Sequence, residues 1–462
     1  MRDRAAAPVP LWVRVFDALA VTMLLIAVSV MATGGFREWT PVGRVRVTSW
    51  VRPVAIGLVL LLLRHWFHST PSLPSRIVSW MKGWRDSDDA RVVWPIFLST
   101  RVGVLVVGFF GIAIVGYAPK TPPWRVYDND FVNMPARWDT GWYLRIAENG
   151  YTWDPSHAGQ MQDIAFFPAY PALMHYGSLF LARQYLLAAV LVSFLAFFFA
   201  LRYLFRFARE TIGDDAAGTA VALLAAYPFA LFYSTAYTEA LFLLTTVAAC
   251  YHFEREELWK AGLWGLAAGL SRPNGCLLSV VLALMAIRDG RTRSLRALAD
   301  RLAAAAMPGI GMLIFSTYMY VLTGHPLQWA ANHAAFGRVY RSLDALVGDR
   351  IGYIQINGLY NYMTVLSLDL INVIPVIFAV GGVWPVYRRL GAPYAAMILV
   401  NVLLPLLMGG VLSMGRITSV MFPLFLWLGA AIPERHRSGW LMGFAMLQAL
   451  GAVAFFTWRP LY

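Results

Sequence analysis

Charge is what this chain has least of. Only 14% of its 462 residues are charged, against about 25% in an ordinary soluble domain. Lysine is confined to Lys82, Lys120 and Lys260, so the formal net charge of +13 is carried by arginine. Cysteine is limited to Cys250 and Cys276, each inside an apolar run. Two such cysteines exclude a disulfide scaffold, and no Cys/His spacing of the zinc-binding kind is present. An Asn-x-Ser/Thr sequon is absent as well, so nothing points to a glycosylated lumenal protein and a bacterial plasma membrane is the expected setting. The basic balance reads as the arginine bias of cytoplasmic loops, with no nucleic-acid partner.

Apolar residues fill the place of charge. They make up 59% of the chain, mean hydropathy is +0.58, and the runs reach 18 residues or more. About 20 such residues cross the hydrocarbon core as a helix, and the period-two alternation of a membrane β-barrel is missing. The expectation is an all-α polytopic membrane protein with about 13 transmembrane helices, at 14–33, 50–66, 93–117, 186–206, 215–233, 237–253, 259–271, 274–287, 304–323, 360–386, 391–412, 417–432 and 438–457. Arg2, Arg4 and Arg14 precede the first run, which is long enough to be an uncleaved helix and not a signal peptide. A further apolar piece, 166–183, opens with Pro168 and Pro171, which suit a helix start. It is expected to lie on the outer surface or to re-enter.

Arginine sets the orientation. Arg202, Arg206 and Arg209, the cluster Arg288, Arg291, Arg293, Arg296 and Arg301, the pair Arg388–Arg389, and "ERHR" at 434–437 are all expected on the cytoplasmic side. Arg37, Arg44 and Arg46 then fall outside, the one violation. This topology leaves a first large outer loop at 118–165 and a second at 324–358.

Polar residues collect where helices meet that outer side. Asp139 lies in "ARWDTGWYLRIAENGY" (136–151), with Arg137 and Trp138 beside it. Tyr237 and Glu239 begin a helix, and Arg272 and Asn274 separate two helices. His325, His333 and Arg338 lie in the second outer loop, and Arg416 opens a late helix. Each has a structural reading as a cap or headgroup anchor, but ionisable groups at helix ends in a membrane are costly. One carboxylate with two arginines suits displacement of a lipid phosphate by a hydroxyl. Asp139 would take the hydroxyl proton as general base, and Arg272 and Arg416 would hold the phosphate as it gains charge. A glycosidase would need a carboxylate pair.

Five segments, "ARWDTGWYLRIAENGY", "AFFPAYPALM", "AYPFALFYSTAYTEALFLL", "GLSRPNG" and "SMGRITSVMFPLF", together resemble the PIG-V family over about 92–432. Its eukaryotic members are the second mannosyltransferases of GPI-anchor assembly, within the GT-C glycosyltransferases. The resemblance implies a GT-C fold with extracytoplasmic loop helices, catalysis at 91–462, and an accessory helix pair at 1–90. It implies an inverting transfer of a sugar, mannose by analogy, from a polyprenyl-phosphate donor to a lipid, glycan or protein acceptor on the extracytoplasmic face. Asp139 maps to the family's catalytic acid. Arg137, Trp138, Tyr237, Glu239, Asn274, His333 and Arg338 are further candidates for substrate contact. Such enzymes often carry an adjacent acidic pair, which makes Asp128 and Asp130 alternative acids. No cofactor is required and no metal site is expected, although Asp128-Asn129-Asp130 leaves room for a divalent cation. Two other readings remain. One is a transporter or flippase of lipid-linked sugars, for which Arg101 is the one midplane charge in view. The other is a non-catalytic assembly partner.

Overall fold

A computed structural model describes residues 9–33, 35–40, 43–85, 87–119, 121, 124–288 and 294–461. Arg2, Arg4, Lys120, Arg291 and Arg293 of the charge reading lie outside them, as do the side chains of Arg37 and Arg44. The helices are α1 (Leu11–Thr33), α2 (Val51–Phe67), α3 (Leu73–Arg85), α4 (Asp88–Val115), α5 (Asp130–Asn133), α6 (Thr140–Asn149), α7 (Ala169–Ser178), α8 (Tyr185–Ile212), α9 (Asp214–Ala226), α10 (Glu239–Glu254), α11 (Leu258–Ser271), α12 (Leu278–Arg288), α13 (Leu295–Thr323), α14 (Gln328–Asn332), α15 (Leu343–Val365), α16 (Ser367–Leu390), α17 (Ala392–Leu407), α18 (Met414–Ser419), α19 (Phe422–Ala431) and α20 (Glu434–Phe456). The chain divides into two compact units, residues 1–91 with 174–188, and 92–173 with 189–462.

In the first unit α1 packs on α2, and a buried ion pair, Arg64 Nε to Asp17 Oδ1 at 3.0 Å, pins the two apolar helices together. The segment between them forms an antiparallel hairpin, β1 (Phe36–Thr40) and β2 (Gly43–Val47), with Phe36 opposite Val47. The sequence reading expected no strand there.

The chain is a multi-pass membrane protein, and the expected count of about 13 spans is not confirmed among the described residues. Six described helices are long and apolar enough to cross: α1, α4, α8, α13, α16 and α20, with α9 and the 3-10 turn Pro228–Ser234 as one further, bent span. The expected helix at 237–253 is α10, whose 16 residues rise only about 24 Å, short of the ~30 Å core. Nearly every side chain of α10 is buried, so its all-round apolarity makes it a core helix. The expected spans at 259–271, 274–287 and 417–432 are likewise short, cut by Pro273 and by the break before Phe422. α7 has ten residues, about 15 Å, too few to cross. The second outer loop is mostly helix: α15 holds 23 residues and bends at Gly358, where φ is +82°. The expected helix at 360–386 is divided between α15 and α16 by Leu366.

The second unit holds every candidate site residue. Its bent span turns by 77° at Tyr227. A bend frees backbone carbonyls, and lipid offers them no donor. Arg101 supplies donors, from one terminal nitrogen to Ala230 O (2.6 Å) and Ser234 Oγ (2.9 Å) and from the other to Ala225 O (2.9 Å), while lying 4.7 Å over the Phe197 ring. Gln448 adds bonds of 3.0 Å to Ala225 O and Tyr227 O. Arg101 is therefore the stitch of a broken helix. A second tight contact brings α11 onto α13. A Cβ on Gly269 would lie 1.9 Å from Pro308 O, so only glycine permits this approach.

Replacing Arg101 by Met should lower stability by about 2–4 kcal/mol, because Ala230 O and Ser234 Oγ lose their donor inside the membrane. Unfolding midpoints in detergent, compared with Val102→Ala on the exposed face of the same helix, measure this. Equal shifts for the two variants would contradict it.

Candidate active site

The site begins with an awkward turn. Trp138 has φ +49°, a left-handed conformation that a bulky residue adopts at a cost of about 1–3 kcal/mol. Its neighbours enforce it. Arg137 is fully buried and donates to Phe456 O (3.0 Å), Asn133 O and Ala136 O (both 2.9 Å). The Trp138 ring meets Trp458 at 5.2 Å, edge to face. Thr140 Oγ1 donates to Pro135 O at 3.2 Å. The turn delivers Asp139 to the N-terminus of α6. The buried Tyr237 then locks it, its hydroxyl donating to Arg137 O (3.1 Å) and accepting from the Asp139 amide (3.2 Å).

Each of the other charged residues arrives for a local reason. Arg272 precedes Pro273, and a residue before proline is pushed to extended backbone. It sits at φ −154°, ψ 155°, so α11 stops at Ser271 and the guanidinium leaves the helix. Arg416 is carried by α18, where Gly415 lies against Phe229 with no room for a side chain; a Cβ would be 2.1 Å from the ring. Glu239 opens α10 and is completely buried.

These groups form one network. Glu239 Oε1 accepts from Arg272 (3.0 Å) and from both Nε (2.9 Å) and a terminal nitrogen (2.8 Å) of Arg416. The other terminal nitrogen of Arg416 binds Asp139 Oδ2 at 2.9 Å. The Arg416 guanidinium also lies 4.5 Å over Tyr237 and 5.0 Å over Phe232. The two carboxylates are not equivalent. The Glu239 side chain has no exposure and that of Asp139 keeps 26%, so only Asp139 reaches the outside.

Arg338 stands close to this network without joining its carboxylates. Its one side-chain bond among the described residues goes to Leu412 O at 2.8 Å. Burial, and the like charges of Arg416 and Arg272, pull its pKa down to about 10. With Arg338 included, three guanidiniums face two carboxylates, leaving one net positive charge. Beside it, the His333 ring bonds Trp329 O at 2.7 Å, and burial holds it below the ordinary histidine range.

Other predicted residues are used differently. Arg137 and Tyr237 are buried struts of the turn. Asn274 donates to Asn401 Oδ1 at 2.8 Å and so ties the Pro273–Leu277 turn to α17. Asp130 accepts from the Tyr117 hydroxyl (2.7 Å) and pairs with Arg125 (3.3 Å), while Asn129 between the two acids caps α5. Sequence reasoning missed an aromatic cluster, Trp142, Phe166 and Phe336, with centroids 5.5–5.9 Å apart. It also missed Asn332, whose side chain clasps Gln160 O (2.9 Å) and the Gln162 amide (3.2 Å). The aromatic spacing was visible in the sequence; nothing there joined loops 170 residues apart.

Residues 124–329 match the family model described as mannosyltransferase (PIG-V). The match takes in Asp139, Tyr237, Glu239, Arg272 and Asn274, and stops before His333, Arg338 and Arg416. A segment of 162 residues is 33% identical to GPI alpha-1,6-mannosyltransferase 2 of Cricetulus griseus, covering 33% of this chain and 31% of that protein. The chain is thus similar to PIG-V mannosyltransferases, over about a third of that relative's length. Among solved structures, an Archaeoglobus fulgidus oligosaccharyltransferase in complex with Zn and sulfate aligns with TM-score 0.41 and 15% identity, over 77% of this chain and 53% of that one. The oligosaccharyltransferase AglB of the same organism, in complex with an inhibitory peptide and a dolichol-phosphate, aligns with TM-score 0.36 and 13% identity, over 78% and 56%. These structural likenesses are too slight to carry chemistry to this chain.

Glu239→Gln should destabilise the protein by about 3–5 kcal/mol, since it strips the counter-charge from two largely buried arginines. Asp139→Asn should cost far less, because that carboxylate is partly exposed. Denaturation in detergent compares the two; a smaller loss for Glu239→Gln than for Asp139→Asn would refute the hierarchy.

Proposed function

We propose that this protein is an inverting glycosyltransferase of the GT-C kind. It moves a sugar, mannose by resemblance, from a polyprenyl-phosphate donor to an acceptor hydroxyl at the extracytoplasmic face of a bacterial plasma membrane. The observation that carries this reading is the asymmetry of the two carboxylates sharing Arg416. Glu239 is fully buried and takes three guanidinium contacts on one oxygen, so it is a counter-ion. Asp139 takes one such contact and is still partly exposed, so it is the group that can meet an acceptor.

In the proposed step Asp139 takes the proton of the acceptor hydroxyl. The oxygen attacks the anomeric carbon, and the carbon–oxygen bond to phosphate breaks on the opposite side. The electron pair leaves with the phosphate, whose charge rises by one. A single displacement of this kind inverts the anomeric centre. The phosphodiester donor carries one negative charge, matching the one net positive charge of the cluster. Arg338, bound to no carboxylate among the described residues, meets the phosphate first, and Arg272 and Arg416 sustain the field behind it. The acceptor is a lipid, a glycan or a protein.

The test is transfer by the purified chain from radiolabelled polyprenyl-phosphate sugars, mannose first. Asp139→Asn should lower kcat by about 10²–10⁴, the usual contribution of a general base. Arg338→Gln should raise the donor KM about tenfold, the loss of one charge-assisted bond. Wild-type transfer by Asp139→Asn would remove the base assignment, and no transfer from any donor in the panel would favour the non-catalytic partner.

A further inference from the structure

A second polar feature lies at the other end of α6. Arg145, six residues beyond Asp139, lines a cavity of about 260 Å³ together with Trp153, Asp154, Gln160 and Asp163. That volume falls just under the roughly 300–1,000 Å³ of pockets that enclose drug-sized ligands, so it suits one small unit of a larger molecule. At 1.5 Å per residue the cavity begins about 9 Å along the helix from Asp139, a span of the order of one or two sugar residues.

The residues that line the cavity are tied together by hydrogen bonds. Asp163 forms its floor with no side-chain exposure, accepting from the Thr152 amide (3.2 Å) and hydroxyl (2.8 Å). Arg145 reaches the same hydroxyl at 2.9 Å and stands 3.6 Å from Asp163 Oδ2. The loop closes on itself through Gln162, which bonds the Asp154 amide (3.0 Å) and His157 O (2.9 Å), and it is clasped from outside by Asn332. Trp153 packs on the core of Ile164, Phe167, Phe315, Met319 and Trp329 and presents an aromatic wall.

We propose that this cavity binds a neutral sugar unit of the acceptor and so sets the distance between that unit and the hydroxyl offered to Asp139. The lining chooses the chemistry. A phosphate would face the exposed carboxylate of Asp154, and an ammonium headgroup would face Arg145. Hydroxyls both donate and accept, and they match a carboxylate, a guanidinium and an amide beside an indole. The acceptor role rests on the glycosyl-transfer reading; sugar binding does not.

Saturation-transfer NMR with methyl α-mannoside and methyl β-glucoside, on the full chain in lipid nanodiscs free of sugar detergents, tests the binding. Arg145→Gln and Gln160→Ala change exposed side chains and should weaken the signal about tenfold, the loss of one hydrogen bond with a charged or amide partner. Asp139→Asn should leave it intact. In transfer assays the same two variants should raise the acceptor KM while donor KM and kcat hold. Binding that ignores both variants, or no binding at all, overturns the proposal. Binding that depends on the cavity in a chain that transfers no sugar from any donor would keep the subsite and discard the enzyme reading.

Discussion

The second unit is organised around one guanidinium. Arg416 joins two carboxylates that lie 277 and 177 residues away along the chain, while its flat faces rest on Tyr237 and Phe232. A charge buried this deeply is tolerable only when it is paired and fully bonded. The pairing therefore dictates much around it: the strained Trp138 turn, the stop of α11 at Ser271, and the glycine at 415 that lets α18 approach.

The same logic recurs wherever this chain interrupts a helix in lipid. The bend at Tyr227 is viable because Arg101 and Gln448 satisfy its carbonyls. Arg64 pairs with Asp17 in the first unit. Arginine thus has two uses inside the bundle: it mends backbone and it balances acids. One residue type serving both purposes is why the charge composition alone points in several directions.

Much of this was legible. The long runs that became α1, α2, α4, α8, α13 and α20 were visible because apolar residues dominate each of them. Hydropathy does not separate a lipid-facing residue from one buried in protein, so the run that became α10 gave no sign that it is buried all round. α15 was read as a loop because its apolar positions are diluted by Asp344, Asp349 and Arg350. For the site, the polar helix ends picked out Asp139, Glu239, Arg272 and Arg416, and the structure brings these four together. What spacing could not convey is that the arginines spend their bonds on the carboxylates. That pairing sets Glu239 apart from Asp139, and it leaves Arg338 carrying the charge surplus.

The reach of Arg416 also bears on how such a protein is made. Asp139, Glu239 and Arg272 are synthesised well before residue 416. Glu239 and Arg272, 33 residues apart, can neutralise each other as soon as α10 and α11 are inserted. Among the described residues the Asp139 carboxylate has no bonded counter-charge until α18, 277 residues further on, has been made. A nascent chain therefore carries a balanced pair long before the more exposed carboxylate acquires its own bonded partner.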